Sequence, residues 1–162
     1  MPGTKIISLL SLKRIVSRLK QTGKCIVFTN GCFDILHYGH VKYLQDARNQ
    51  GDYLVVAVNS DSSIKKIKAK NRPVIGQSDR LKMVAALSSV DFVVLFNALN
   101  PLSLIKALKP DILIKGADWN KKKIIGADFV ESYGGRVLTV NSVKGRSTSA
   151  IIEKIVRDFQ RK

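Results

Sequence analysis

His37 and His40 are the two histidines of the chain, and their type and spacing suggest chemistry on a phosphate group. They stand three residues apart at the predicted start of a helix, so both side chains project from one face of its first turn. A helix N-terminus offers unpaired N–H groups and a positive dipole end, which favour a phosphate. An imidazole donates to an oxyanion and, when protonated, adds positive charge. Gly39 removes a side chain where the ligand would lie closest, and the pair predicts stabilisation of a phosphoryl-type transition state without a covalent step.

Two other interpretations of the histidine pair remain open. A zinc site would need further ligands, and these would have to be Cys32 or Asp34, a spacing unlike the usual structural zinc patterns. The pair could also be a coincidence at a helix start, because two histidines at this spacing form a weak motif by themselves.

The elements that must position these residues alternate between strands and helices along the chain. Apolar runs predict strands at 25–30, 53–59, 91–96, 111–115 and 136–140. Helical spacing predicts helices at 10–21, from the histidines to near Gly51, from Asp61, at 78–88, from Pro101 and from Ser147 or Thr148, with two shorter elements after the fourth strand. This order predicts an α/β fold, a doubly wound Rossmann-like parallel sheet with helices on both faces.

The domain organisation predicted from this order is one domain over residues 1–162. It comprises a helical extension at 1–23 and a core at 24–156. The last helix carries an apolar stripe that is predicted to face the core, formed by Ile151, Ile152, Ile155, Val156 and Phe159. Ligands of such folds bind beyond the carboxyl ends of the strands, which singles out Lys115 at the end of its strand.

The formal net charge of +16 would attract any polyanion, so a basic nucleic-acid-binding module is a second hypothesis. It predicts salt-sensitive binding to DNA or RNA, but it leaves the histidines and Lys115 unexplained. Lysine clusters at 65–70 and 121–123 are not interleaved with the aromatic residues of single-strand binders, and we expect no specific nucleic-acid partner.

The compartment predicted from the sequence is the cytoplasm. No stretch approaches the roughly 20 apolar residues that cross a bilayer, so we expect no membrane association. Cys25 and Cys32 lie too close along the chain for a stabilising disulfide, and we expect both to be reduced thiols.

The segment NGCFDILHYGHVKYL at 30–44 resembles the signature of the cytidylyltransferase-like nucleotidyltransferases, a small turn followed by Phe-Asp and His-x-Gly-His. The resemblance covers about residues 24–156. It is closest to the heptose 1-phosphate adenylyltransferases of lipopolysaccharide-core precursor synthesis, in their stand-alone form without the kinase half. The segments that carry this closer resemblance are GDYLVVAVNSD (51–61), RPV (72–74), Arg80, KPDILIKGADW (109–119) and GRSTSAIIEKI (145–155).

The resemblance implies roles for individual residues. His37 and His40 would bind and polarise the phosphates of the nucleotide, Lys68 and Arg80 would meet the leaving pyrophosphate, and Lys115 would meet an acceptor phosphate or the nucleotide. The residues implied in nucleotide binding are Asn30, Gly31, Cys32, Phe33, Gly39, Asp118, Trp119, Ser147, Thr148 and Ser149. Of these, Asp118 and Trp119 would border the base or sugar, and the last three would present hydroxyls and helix N-terminal amides to the triphosphate.

Simpler interpretations of several of these residues stay open. Lys68 could belong to a solvated face, Arg80 could be an ordinary helix-surface arginine, and Trp119 could be packing. Ser147 or Thr148 could serve only as a helix cap. The chain also departs from the family pattern, with Ser149 where a threonine is usual and Arg146 where a small or apolar residue is usual.

The resemblance implies adenylyl transfer from ATP to a heptose 1-phosphate, giving ADP-heptose and pyrophosphate. Mg²⁺ would be held by substrate oxygens and water rather than by protein side chains. A homodimer is also expected. The nearest rival is a cytidylyltransferase for glycerol 3-phosphate or a similar alcohol phosphate, but the arginine of that branch is replaced by Ser142, which favours ATP. An adenylyltransferase for a flavin and a scaffold role remain further alternatives.

Overall fold

A computed structural model describes residues 5–68, 71–117, 123–141, 143 and 145–160. Helices and strands alternate as the apolar periodicity predicts. The strands are Ile26–Gly31 (β1), Tyr53–Asn59 (β2), Phe92–Phe96 (β3), Ile112–Gly116 (β4) and Arg136–Val140 (β5). The α-helices are Leu9–Gln21 (α1), Tyr38–Arg48 (α2), Asp61–Ile67 (α3), Gln77–Ala85 (α4), Leu102–Leu108 (α5), Ala127–Ser132 (α6) and Thr148–Phe159 (α7).

The five strands form one sheet in the order β3-β2-β1-β4-β5, and every neighbouring pair is parallel. The central strand β1 pairs with β2 on one side and with β4 on the other. After β1 the chain moves outward through β2 and β3, and it then crosses to the opposite side of β1 to form β4 and β5. The predicted doubly wound α/β fold is therefore confirmed, and the strand order reverses between β1 and β4.

Alternate residues of the strands point to opposite faces of the sheet and build two apolar clusters. Ile26 and Phe28 of β1 pack with helices α1, α5 and α6, whereas Val27 packs with helices α2 and α4. All three side chains are fully buried. Burial on both faces explains why the strands read as continuous apolar runs in the sequence.

The N-terminal segment is part of this packing. Ile6 bridges to Val93 at the outer edge of β3, and the N–H of Ile7 donates to the carbonyl of Val93 over 3.0 Å. Leu12 and Val16 of α1 are buried in the same cluster as α5 and α6. The predicted helix is confirmed, while the boundary of an extension at 1–23 stays a prediction.

Aspartates that lie just before strands hold the beginnings of neighbouring strands. Asp52 accepts from the N–H of Cys25 and Asp111 from the N–H of Ile26, both over 2.8 Å. Asp91 accepts from the N–H of Leu54 over 2.7 Å. These carboxylates satisfy backbone donors that have no ladder partner at the sheet's N-terminal edge.

Two expectations from the sequence are corrected by the structure. The apolar stripe of α7 does not face the core, because no residue of α7 is buried, and Phe159 is 80% exposed. Pro101 is the cap residue before α5 rather than its first helical residue. Of the two short elements predicted after β4, the described residues contain the helix α6.

Both cysteines are free thiols, as expected from their spacing. Among the helices that the structure describes, none has the length and apolar character needed to cross a membrane.

Replacement of Asp111 by alanine tests the strand-holding role of these aspartates. Asp111 Oδ1 also lies 2.9 Å from Lys20 Nζ of α1, so the variant would lose this ion pair and leave the buried N–H of Ile26 without its acceptor. We expect a loss of about 1–3 kcal/mol in the free energy of unfolding, measured by urea denaturation. Asp158→Ala is the matched control. Among the described residues its carboxylate meets Arg157 alone, at the surface, so the variant should lose less than about 1 kcal/mol. Equal effects of the two variants would contradict the assignment.

Candidate active site

A cleft of about 650 Å³ opens at the carboxyl ends of β1, β2 and β4, where the strand order reverses. Its walls come from the segment after β1, the start of α2, the end of α3, the loop before α5 and the start of α7. Except for the end of α3, each of these segments follows a strand or lies at the start of a helix. The cleft therefore lies where a doubly wound sheet places its ligands.

The two histidines stack on each other at the start of α2. Their ring centroids are 3.9 Å apart with an angle of 23° between the planes, and His37 is the N-cap residue of the helix. The Nδ1 atoms of both rings are buried and have no hydrogen-bond partner among the residues that the structure describes. Two buried, unpartnered imidazole nitrogens in one cleft are suited to a polar ligand.

Phe33 packs against the imidazole ring of His40. It is 95% buried, and its ring meets the imidazole of His40 edge to face at 5.4 Å. Its backbone has a φ of 48°, in the left-handed region that is unfavourable for a bulky residue. A Cβ at Gly31 would lie 3.0 Å from the Phe33 ring, so the turn depends on glycine there. This strained exit from β1 is the kind of backbone that occurs at functional sites.

Gly39 allows close packing within the site and also lines the cleft, so its expected role in the approach of a nucleotide stays a prediction. A Cβ at this position would lie 2.9 Å from two atoms of the His37 ring and 3.3 Å from Cβ of Arg146. Glycine thus allows the segment before α7 to cross closely over the start of α2. The same contact brings the Arg146 side chain near His37.

The surroundings of the two histidines favour the neutral form of both rings. Burial, with a smaller contribution from the neighbouring His37, lowers the pKa of His40 to about 4. Burial also lowers the pKa of His37, with a smaller contribution from the positive charge of Arg146. In the ligand-free protein each ring therefore acts as a neutral donor or acceptor, and an anion beside the rings would favour protonation.

The start of α7 forms the opposite wall of the cleft, with Ser147, Thr148 and Ser149. Ser147 is the N-cap residue, and its Oγ accepts from the N–H of Ala150 over 3.1 Å. The hydroxyl proton of Ser147 stays available for donation, so capping and anion binding are compatible. Two helix N-termini, those of α2 and α7, therefore border one cleft, and both favour negative charge.

Lys115, at the end of β4, extends toward the end of β1. Its Nζ donates to the backbone carbonyl of Asn30 over 3.1 Å and to the side-chain oxygen of Asn30. Both residues line the cleft. The contact ties the two central strands together where they end and places an ammonium group at the floor of the cleft.

Lys68 and Arg80 occupy different places. Lys68 ends α3 and is exposed at the cleft wall, where a phosphate could reach it. Arg80 is fully buried, and its guanidinium donates to the carbonyls of Ile75 and Cys32 and to the carboxylate of Asp61. The structure therefore places Arg80 behind the cleft wall instead of toward a leaving pyrophosphate, because its donors are used inside the protein.

Twelve of the fifteen site residues predicted from the sequence line this cleft. They are Asn30, Gly31, Cys32, Phe33, His37, Gly39, His40, Lys68, Lys115, Ser147, Thr148 and Ser149. Arg80 does not line it. Asp118 and Trp119 lie outside the described residues, as does Ser142.

The sequence did not single out several residues that the cleft contains. Asn59 ends β2 and Arg72 precedes α4, while the loop before α5 contributes Leu99, Asn100 and Pro101. Asn59 follows the rule that singled out Lys115, since both lie at the carboxyl end of a parallel strand. The other four lie on loops whose paths the apolar pattern does not determine.

A zinc site is not supported in the part of the chain that the structure describes. There, no three side chains of the His, Cys, Asp or Glu type are grouped so that they could hold a metal ion. Asp34, one of the two residues considered as an additional ligand, is buried in contacts with Arg72 and the backbone.

Comparison with known proteins agrees with this geometry. A family model described as cytidylyltransferase-like matches residues 28–160, which include the cleft residues from both ends of the chain. The chain belongs to the cytidylyltransferase-like family. This membership agrees with the nucleotidyltransferase class predicted from the sequence.

The relatives of this family member include the protein named bifunctional protein HldE. The protein from Geotalea uraniireducens is 54% identical over 151 residues, and that from Campylobacter fetus is 56% identical over 151 residues. In both cases the match covers 93% of this chain and 31% of the relative. The chain thus spans about a third of the length of these relatives.

A solved structure with the same fold is the lipopolysaccharide core biosynthesis protein from Thermoplasma volcanium. It matches with a TM-score of 0.63 and 29% sequence identity, over 76% of this chain and 100% of that chain. The Rossmann-like fold predicted from the sequence is therefore shared with this solved structure.

Titration of the histidines tests the electrostatics of the cleft. We expect His40 to titrate near pH 4 and His37 below its ordinary value of 6.5, followed by NMR of the imidazole protons. Below pH 6.5 the unfolded chain would bind a proton at His40 that the folded protein does not bind, since the folded-state pKa is depressed. The free energy of unfolding should therefore fall as the pH drops from about 6.5 toward 4.

His40→Gln is the control for this effect, and its unfolding free energy should fall less over the same pH range. A His40 resonance that titrates near 6.5 in the folded protein would show that the ring is solvated and the assignment wrong.

Proposed function

We propose that the chain transfers the adenylyl group of ATP to a sugar 1-phosphate, a heptose 1-phosphate, and releases pyrophosphate. The observation that carries the proposal is the stacked pair of buried histidines at the start of α2, facing the serine-rich start of α7 across one cleft. The acceptor comes from the resemblance to heptose 1-phosphate adenylyltransferases and is supported by the HldE relatives and the lipopolysaccharide core biosynthesis protein.

The reaction is a displacement at the α-phosphorus. An oxygen of the acceptor phosphate forms a bond to this phosphorus, and the bond between the α-phosphorus and its bridging oxygen to the β-phosphate breaks. The electron pair of that bond leaves on pyrophosphate. No protein nucleophile is required, so the protein contributes by positioning the reactants and stabilising charge.

Different described residues would contribute to different parts of this reaction. His37 and His40 lie where they would donate to the phosphate oxygens as negative charge develops, and the anion would raise their pKa values toward protonation. The N-termini of α2 and α7 would bind other oxygens of the triphosphate. Lys115 at the floor and Lys68 at the wall place two ammonium groups beside the same phosphates.

Mg²⁺ is proposed as the accompanying ion and would neutralise part of the phosphate charge when bound. The donor set of the cleft fits an ion held through substrate oxygens and water. Asp34 is the carboxylate among the described lining residues, and both of its oxygens are already in contact with protein donors. Mg²⁺ commonly keeps several waters and binds substrate phosphates.

We also propose a cytoplasmic location, where ATP and sugar phosphates are available, and a homodimer formed through α7. Exposed apolar side chains lie along one side of α7, with Ile155 at 50%, Val156 at 45% and Phe159 at 80% exposure. The protein carries a net charge of +16, which opposes self-association, but α7 contains two acidic and two basic residues. The charges of α7 therefore balance, and this helix adds no net repulsion toward a second copy.

The sequence of α7 is also self-complementary in an antiparallel pair centred on Ile155. In that arrangement Ile151 lies opposite Phe159, and both lie on the same side of the helix as Ile155. Apolar contacts would form the centre of the pair. A single 12-residue helix is about 18 Å long, so the dimer would be a weak one.

Pyrophosphate release with defined substrate pairs tests the proposed reaction. With Mg²⁺, we expect release from ATP and heptose 1-phosphate, and much less from CTP and glycerol 3-phosphate. His40→Ala should lower kcat on the order of 100-fold, because a donor to the developing charge is removed. Thermal unfolding of the variant serves as the control for folding. Turnover of CTP with glycerol 3-phosphate would overturn the proposed substrates, and a folded wild-type protein without activity on any pair would overturn the reaction.

Light scattering after size-exclusion chromatography tests the dimer. We expect the wild-type protein to shift toward twice the chain mass as its concentration rises, and Phe159→Glu to remain monomeric. Leu10→Glu is the matched control, because Leu10 is 63% exposed on a different helix, α1. A wild-type protein that stays monomeric at all concentrations would overturn the dimer, as would equal effects of the two variants.

A further inference from the structure

Arg72 reaches the cleft but has no role in the assignments above. It precedes α4, it lines the cleft, and its side chain is 18% exposed. Its Nε atom lies 2.7 Å from Oδ2 of Asp34, whose side chain is 1% exposed. A guanidinium that borders both solvent and a buried carboxylate is held at a definite position in the wall of an anion-binding cleft.

Asp34 contacts the loop before α4 as well as the side chain of Arg72. Its Oδ1 accepts from the N–H groups of Val74 and Ile75, both over 2.8 Å. One carboxylate thus fixes Arg72 and the two backbone groups that follow it closely in sequence. Because Asp34 follows the strained turn at Phe33, this contact also ties the loop to the exit of β1.

Arg80 holds the same loop from behind. Its Nε donates to the carbonyl of Ile75 over 2.9 Å, and its Nη1 donates to the carbonyl of Cys32. Its Nη2 donates to Oδ1 of Asp61 over 2.7 Å, which connects the loop to the start of α3. Arg80 and Asp34 therefore join the exit of β1 to the loop in two independent ways, and the position of Arg72 is set by buried contacts.

The guanidinium atom nearest to Asp34 is Nε, and the contact is an ion pair without hydrogen-bond geometry. A guanidinium has five N–H donors, and four of them are on the two Nη atoms. A planar pair of donors matches two oxygens of one phosphate group, and arginine held by packing loses little further freedom when it binds. Lys68 is exposed in the same cleft, so Arg72 would share its ligand with a second cation.

We propose that Arg72 is a phosphate-binding residue of this cleft, aimed by Asp34, and that Arg80 is a positioning residue for the loop that carries it. The inference rests on the proposed function for the source of the phosphate, which is either the nucleotide or the acceptor. The recognised chemistry is the same in both cases, a phosphate group with two accessible oxygens.

Direct binding measurements with purified protein test this role. Isothermal titration calorimetry would use pyrophosphate, ATP and a hexose 1-phosphate as separate probes. We expect Arg72→Met to weaken binding of at least one probe by about 10- to 100-fold, and Arg72→Lys to restore part of that loss, since lysine keeps the charge without the planar donor pair. Loss with pyrophosphate and ATP would identify the nucleotide as the source, whereas loss with the sugar phosphate alone would identify the acceptor.

Arg48→Met is the matched control. Arg48 forms a similar pair, with its Nε 2.9 Å from Oδ2 of Asp91, but it ends α2 and does not line the cleft. The Arg48→Met variant removes the same charge and the same type of ion pair as Arg72→Met. Unchanged affinity of Arg72→Met for all three probes, or an equal loss in Arg48→Met, would overturn the proposal.

Asp34→Asn distinguishes a positioning role of Asp34 from a purely electrostatic one, because the two roles predict opposite changes in anion affinity. Removal of a buried negative charge beneath an anion site should tighten anion binding if Asp34 acts only through its charge. If Asp34 aims Arg72, the same variant should bind the affected probe several-fold more weakly, with little further loss when Arg72→Met is added. Tighter binding by a folded Asp34→Asn would overturn the positioning role, and if that variant does not fold, the Arg72 variants decide alone.

These measurements do not depend on turnover. Wild-type protein that binds the probes but makes no product would contradict the proposed reaction and leave the comparison of Arg72 and Arg48 intact. Wild-type protein that binds none of the probes would overturn both.

Discussion

Asp34 carries a buried negative charge directly behind a cleft that is built for negatively charged ligands. Such a charge is costly unless it is paired and hydrogen-bonded, and here it is both, through Arg72 and the N–H groups of Val74 and Ile75. The contacts that satisfy the carboxylate also bring the loop before α4 against the exit of β1. The wall of the cleft is therefore assembled by the requirement to compensate one buried charge.

The exit of β1 is the part of the fold to which the other site elements attach. β1 is the central strand, and its end carries Asn30, the strained turn at Phe33 and then the histidine pair. Lys115 attaches to it from β4, and Arg80 attaches to it from α4. A rigid central strand with buried residues on both faces keeps these groups in register, which positioning without a covalent intermediate requires.

The histidine pair and α7 contribute to the cleft in different ways, through the charge state of two buried rings and through the N-terminus of an exposed helix. Burial keeps both imidazoles neutral without a ligand, so the cleft avoids two adjacent positive charges until an anion compensates them. The helix α7 contributes its N-terminus to the cleft but buries none of its own side chains. Its position thus depends less on the core than that of α2, and a second copy on its apolar side would hold the Ser147 end in place.

Local sequence determined much of this protein. The period of apolar residues predicted the strands and most helices, because burial on both faces of a parallel sheet requires continuous apolar runs. The segment at 30–44 identified the family and the histidine pair, and residues directly after strands, such as Lys115, follow from the geometry of parallel sheets. Twelve residues that line the cleft were named from the family resemblance.

The tertiary structure decided what depends on contacts between distant segments. It showed that Arg80 is buried and that Arg72 reaches the cleft, because their positions are set by Asp34, Asp61 and Cys32, which come from other parts of the chain. The lowered pKa values of the histidines follow mainly from their burial, and α7 buries none of its described side chains. An amphipathic pattern indicates an apolar face but not the surface that covers it, which is why the sequence placed that face in the core.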